Sequence, residues 1–163
     1  MVMIPVTIDN LSALANDGRL GGVLQGVAAD DALAYEFEVA PGEETEAAAL
    51  QLADVLGLTL GPATVSSGIT RRQVLVCEVQ AAYLTRVTGS IVEAQAPLTM
   101  AQVLSFFTGE CGAAVADAAR GRAVDEAWDL PAVRAMLAEQ PLEWHDVTEL
   151  AHWLASLDEL VQP

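Results

Sequence analysis

The chain has 163 residues, 23 of them acidic and seven basic, for a formal net charge of −16. All seven cations are arginines (Arg19, Arg71, Arg72, Arg86, Arg120, Arg122 and Arg134). The absence of lysine excludes Schiff-base chemistry, a phosphate-loop lysine and a lysine-rich surface for nucleic acid or an anionic membrane. The length suits one globular domain, expected over residues 1–163. The 53% apolar content leans on alanine, and alanine richness beside an all-arginine cation set reads as high-G+C codon bias. The start, Met1 to Val6, lacks a basic n-region, and no apolar run is long enough for a membrane helix, so the expected location is cytoplasmic. Cys77, in an apolar strand-like run, and Cys111, in a glycine-flanked turn, are expected to be reduced structural residues.

In chain order, Val2 to Ile8 is β-branched and apolar, a strand with Pro5 near an edge. Asp9 is placed to cap a helix carrying Leu11, Leu14 and Ala15, closed at Asp17-Gly18. Gly22 to Ala28 suits a second strand, and Asp30 to Phe37 a short helix or turn. Pro41-Gly42 opens a helix from Glu43 to Leu56. Its acidic first turn matches the helix dipole, and Gly57 ends it. Gly61 to Thr70 is the most loop-like segment. Gln73 to Val79 and Arg86 to Glu93 read as strands, candidates for antiparallel neighbours. Pro97-Leu98-Thr99 forms a turn leading into either a single helical turn or a direct strand, with Val103 to Phe107 as the next apolar run. Helices are expected over 112–120, 130–139 and 147–160. The fold class is therefore α+β: a mixed or antiparallel sheet of about four to five strands, covered by helices on one side, with a helical C-terminal third.

Leu142 to Leu150 carries the sharpest local signal. Asp146 and Glu149 have capping-box spacing, and Val147, Leu150, Leu154, Leu157 and Val161 form a core-facing stripe. Three stretches together carry a resemblance. They are Ile4-Pro5-Val6-Thr7 with Leu11 and Leu14; Arg72 to Val76 through Val79; and Pro97-Leu98-Thr99 with Val103, followed by the closing Leu-x-Trp-x-Asp-Val-Thr-Glu-Leu stretch. In these the chain resembles a family of small, functionally uncharacterised proteins of high-G+C Gram-positive bacteria, catalogued as a domain of unknown function. The chain departs from that family's pattern at Trp144-His145 and in the strand ending Phe106-Phe107-Thr108-Gly109. The resemblance implies a fold and an actinobacterial home, and no activity.

His145, Glu149 and His152 stand at i, i+4 and i+7. On a continuous helix they share one face, a geometry open to a divalent metal. The competing reading has Asp146 capping the helix, His145 outside it and both histidines in water. The carboxylate runs, such as Glu43-Glu44-Glu46 and Asp125-Glu126, match no calcium loop and read as solvated faces. The glycines from Gly18 to Gly26 form no dinucleotide fingerprint, and Ser66-Ser67-Gly68 no nucleophile elbow. Trp128, Trp144 and Trp153 suit core packing more than an interface. Arg71-Arg72 and Arg120/Arg122 could pair with acids on a partner or a second copy. No cofactor is implied. The expectation is a non-enzymatic protein-interaction or self-associating module, without nucleic-acid or membrane partners, dimerising across an unprotected strand such as Gln73 to Val79. Such a module should lack a deep polar pocket. The alternative is a small enzyme or metal-binding protein using the acidic residues and the His145/Glu149/His152 face.

Overall fold

The computed structural model describes residues 1–61, 68–95 and 97–161, with side chains described as far as Leu157. In chain order the elements are β1 (Val2–Pro5), α1 (Ile8–Asp17), β2 (Arg19–Leu20), β3 (Leu24–Ala28), α2 (Asp31–Phe37) and α3 (Glu43–Leu60). There follow β4 (Ile69–Cys77), β5 (Leu84–Thr88), β6 (Ile91–Ala94), β7 (Leu98–Thr99) and β8 (Val103–Gly112). Helices α4 (Ala113–Ala119), α5 (Val124–Trp128) and α6 (Pro131–Glu139) lead to β9 (Glu143–Asp146) and α7 (Leu150–Val161).

The protein is α+β, but its main sheet has seven strands, all paired antiparallel, rather than four or five; the order is β5-β6-β3-β1-β4-β8-β9. The count rises because Arg86 to Glu93 is a hairpin of two strands turning at Gly89, and because Glu143–Asp146 adds an edge strand. β4 lies between β1 and β8, so Gln73 to Val79 is not an unprotected strand, nor is it a neighbour of the 84–94 hairpin. The edges are β5 and β9. β2 and β7 pair separately.

Side chains alternate across the sheet, and both faces are apolar. Ile4, Leu75, Val92 and Phe106 pack with Leu11 and Leu14 of α1 and with Leu150, Trp153 and Leu154 of α7. Met3, Val27, Val74, Val76 and Ile91 pack with Leu33 of α2 and Ala49, Leu52, Ala53 and Leu56 of α3. Helices therefore cover both sides, not one. A third cluster joins Val55 and Leu58 of α3 to Ala116, Ala127, Val133 and Met136 of α4 to α6. This is why α3 is apolar nearly all round: one side meets the sheet and the other meets helices.

Local chemistry explains the boundaries. Thr7, not Asp9, caps α1: its hydroxyl accepts from the Asn10 N–H at 3.2 Å, and Asn10 Oδ1 accepts from the Thr7 N–H at 3.1 Å. Gly18 closes this helix in the left-handed region at φ 70°. Asp30 caps α2. α3 does not end at Gly57 but runs through it to Leu60, with Gly61 as its left-handed cap. Gly57 serves a close approach instead, since a Cβ there would sit 3.0 Å from Pro5 Cβ. Of the segment read as a loop from Gly61, residues 62–67 lie outside the described residues, and Ile69 and Thr70 already belong to β4. Cys111 is in strand β8 rather than a turn, and both cysteines are free and buried. Asp146 and Glu149 do form a capping box, around a short 3-10 turn from Val147 to Glu149 that precedes α7. Among the described residues no helix is long and apolar enough to cross a membrane.

Candidate functional site: a polar cavity where the first strand leaves the sheet

β1 pairs with β4 only from Val74 to Cys77, whereas β8 pairs with β4 from Ile69 to Cys77. The last β1-side rung is the Val6 N–H donating to the Gln73 carbonyl at 3.0 Å; at Thr7 the chain turns away into α1. This departure opens a gap in the sheet between the start of β3 and the first half of β4. The C-terminal half of α3 overlies it.

A cavity of about 440 Å³ occupies the gap, within the size range of small-molecule sites. Its walls are Pro5, Val6, Val23, Leu24, Leu58 and Leu60, with Thr7 and Asn10 at the start of α1. Its polar lining is Gln25, Asp54, Arg71, Arg72, Gln73 and Glu93. Strand alternation splits this set. Arg72, in phase with Val74, faces α3, as do Gln25 and Glu93; Arg71 and Gln73, in phase with Leu75, face the α1 side.

Asp54 and Arg72 form a buried ion pair, with Nη1 donating to Oδ2 at 2.5 Å and side chains only 3% and 2% exposed. Arg72 Nη2 also donates to the carbonyls of Glu110 at 3.1 Å and Gln140 at 2.6 Å. One guanidinium thus ties α3 to β8 and to the segment before β9. It crosses β8 over Gly109, where a Cβ would lie 2.9 Å from Arg72 Nη2 and 2.8 Å from Leu142 Cδ2. Burial pushes the Asp54 carboxyl up to about 6, and Arg72 pulls it back only in part. Arg71 has Glu110 directly opposite on β8, at 3.6 Å from its Nε, beyond hydrogen-bond reach. The arginine pair therefore meets acids of its own chain.

Among the described residues, the buried side-chain atoms without a hydrogen-bond partner are Asp54 Oδ1, Arg71 Nε, Arg72 Nε and Gln73 Nε2. All four belong to residues lining this one cavity. A neighbouring groove of about 650 Å³, between the Phe37–Trp128 pair and the 84–94 hairpin, holds none of them. A cavity of mixed apolar and polar lining is thus present; a purely self-associating module was expected to lack a deep polar one.

The histidine face does not assemble as its spacing suggested. His145 lies on β9, where Nε2 shares a 2.8 Å hydrogen bond with Thr108 Oγ1 and the ring stacks on Phe106 at 4.8 Å. Glu149 accepts from the Asp146 N–H at 2.9 Å as half of the capping box. His152 is exposed on α7. The helix begins after His145, so the i, i+4, i+7 projection does not apply. Among the described residues no group of three His, Cys, Asp or Glu side chains is placed to hold a metal ion. The Thr148 hydroxyl and N–H, both bonded to Asp146, hold that carboxyl below its ordinary range. Burial pushes the Cys77 thiol up to about 12 and also raises Cys111, leaving neither as a ready thiolate. Trp128 and Trp153 pack edge-on against Phe37 and Phe106, whereas Trp144 is 59% exposed.

Sequence reasoning missed Asp54. Its signal was a lone acid inside the apolar stretch Leu52 to Leu58, at a position in phase with the buried face.

An antiparallel sheet covered on both faces, with a polar cavity where one strand stops short, defines a class by architecture alone. The chain belongs to a family of unknown function (DUF6912), whose model matches residues 1–154. No curated protein and no solved structure matches it.

Proposed function

We propose that this domain is a non-enzymatic binding module that takes a small organic molecule into the cavity between β3 and β4. One observation carries the reading: every unpartnered buried side-chain polar atom among the described residues sits on a residue of that cavity. Each such atom costs about 1–3 kcal/mol of stability. A chain selected only to fold would replace them with apolar groups, so their clustering on residues of one cavity supports a site kept for a ligand. The mixed lining, apolar walls with a few fixed polar groups, is that of small-molecule sites. Apart from the carboxylates, the lining offers no nucleophile beyond the capping hydroxyl of Thr7, which favours binding over turnover.

The test is amide-resolved NMR of the purified protein against a library of small acids, amides, amines and alcohols. Binders should shift the amides of Asn10, Gly57 and Arg71 to Gln73, and Val23→Trp, at the exposed mouth, should abolish those shifts without unfolding the protein. Shifts confined to other surfaces, or none with any compound, would sink the reading.

A second reading, self-association, is favoured by a different observation. Trp144 on edge strand β9 and Leu104 on β8 are 59% and 45% exposed and border one apolar groove with Met1. Antiparallel addition of a second β9 would extend the sheet and cover Trp144. Sedimentation should then give a dimer that Trp144→Glu converts to monomer; a monomer at all concentrations excludes it. We place the domain in the cytoplasm of a high-G+C bacterium, as one unit over residues 1–163, without nucleic-acid partners, on composition and charge.

A further inference from the structure

Resting on the cavity reading above, we propose that the ligand is an uncharged molecule of the amide class, a carbonyl head on an apolar chain, whose oxygen accepts from Arg71 and Gln73. The two donors stand together. Arg71 and Gln73 are two apart on β4, about 7 Å along the strand, and so share the α1 face. Both line the cavity, and each has a buried N–H without a partner, at Nε and Nε2. Gln73 is only 5% exposed, which keeps its amide out of reach of bulk water. One carbonyl oxygen has two lone pairs and can take both bonds.

Charge decides what kind of carbonyl. Arg71 has Glu110 Oε1 at 3.6 Å from its Nε, near enough to balance its charge and too far to bond. On the other face of the sheet Asp54 balances Arg72. Glu93, a further carboxylate in the lining, has no cation beside it among the described residues. Three carboxylates thus stand against two guanidiniums, in a chain of net charge −16. A carboxylate ligand would enter against that field and give up its own hydration. A cation would leave both donors of the α1 face unpaired. A neutral carbonyl meets the donors and carries neither cost. The apolar walls, Val6, Val23, Leu24, Leu58 and Leu60 among them, suit the chain behind it.

The test titrates the intact protein with hexanamide, hexanoate, hexylamine and hexanol, following the amides of Val6 and of Arg71 to Gln73. Hexanamide should bind at least about fivefold more tightly than the other three, the worth of one net hydrogen bond. Gln73→Leu and Arg71→Met should each bring its affinity down to that of hexanol, with hexanol binding unchanged. Gln73→Leu should also keep or raise the urea midpoint, because it deletes an unpaired buried amide. A lower midpoint would mean that the amide is bonded within the fold, and would overturn the assignment. So would equal or tighter binding of any other probe, or hexanamide binding indifferent to both substitutions; either leaves the cavity as a site. Failure of all four compounds to move these amides would overturn both.

Discussion

Two polar clusters penetrate the apolar sheet, and they are built differently. At the β8–β9 edge, the imidazole of His145 bonds to Thr108 and its ring lies on Phe106 beside Trp153. Across the sheet, where β1 stops, Asp54, Arg71, Arg72 and Gln73 bring two cations, an anion and an amide and leave an atom of each unpaired. The first cluster is what a fold does with a polar residue it must bury: it supplies a partner and stacks the rest. The second leaves an atom of each residue unpaired at a thermodynamic loss, which the proposed ligand would recover. The difference separates a histidine that sequence spacing had offered as a metal ligand from an aspartate that no motif announced.

The comparison breaks most sharply at the ion pair. Asp54→Ala leaves the Arg72 guanidinium buried without its counter-ion and should cost about 3–5 kcal/mol, read as a lower urea midpoint. If the pair exists for function, Asp54→Leu with Arg72→Met should recover most of that loss or exceed wild type, because paired apolar groups carry no desolvation penalty. A double variant as unstable as the single would make the pair structural. The pH dependence sharpens the same point. The folded Asp54 carboxyl stands at about 6 against an ordinary 3.8, so folding favours its neutral form. That contribution is complete below about 3.8 and is lost as pH rises through about 6. The stability difference between wild type and Asp54→Asn should therefore move in favour of wild type as pH falls from 7 to 5. A shift the other way would mean that Arg72 outweighs burial.

At the satisfied cluster the expected effect is smaller. Thr108→Val removes the partner of His145 Nε2 and should cost about 1–3 kcal/mol by leaving a half-buried imidazole nitrogen unpaired. The pocket amides should not shift. A ligand-induced shift lost in Thr108→Val would mean that the two clusters are coupled.

What was legible in the sequence follows from range. The Asp146–Glu149 box and Gly18 act within a turn and were read from neighbours in the chain, whereas the Thr7–Asn10 cap, equally local, was misassigned to Asp9, and Gly57 was mistaken for the end of α3. β9 could not be read this way: Glu143 to Asp146 has no strand pattern of its own and is extended only because β8 offers it an edge. The hairpin at Gly89 was legible but missed: Gly89-Ser90 interrupts Arg86 to Glu93 with a two-residue turn signal. The cavity lay further out of reach. It exists because β1 leaves at Thr7 while β4 runs on to Ile69, a mismatch of strand lengths visible only once register is known. Arg71-Arg72 was legible as a cation pair. That its members face opposite sides of the sheet follows from strand alternation, but their acids, Asp54 and Glu110, come from α3 and β8.

The smallest test lies at the point where β1 turns into α1. Thr7 lines the cavity and caps the helix with Asn10. Thr7→Ala removes the hydroxyl acceptor but leaves Asn10 Oδ1 on the residue-7 amide, so about 1 kcal/mol should be lost. In a domain of this size that is a fall of about 2–4 °C in Tm, and Thr7→Ser should restore it. If the cap also fixes where the chain leaves the sheet, Thr7→Ala will weaken ligand binding more than it lowers Tm, and Thr7→Ser will recover both. If Tm falls while affinity holds, the gap is set by Pro5 against Gly57 and by the Val6–Gln73 rung, and the cap merely begins a helix.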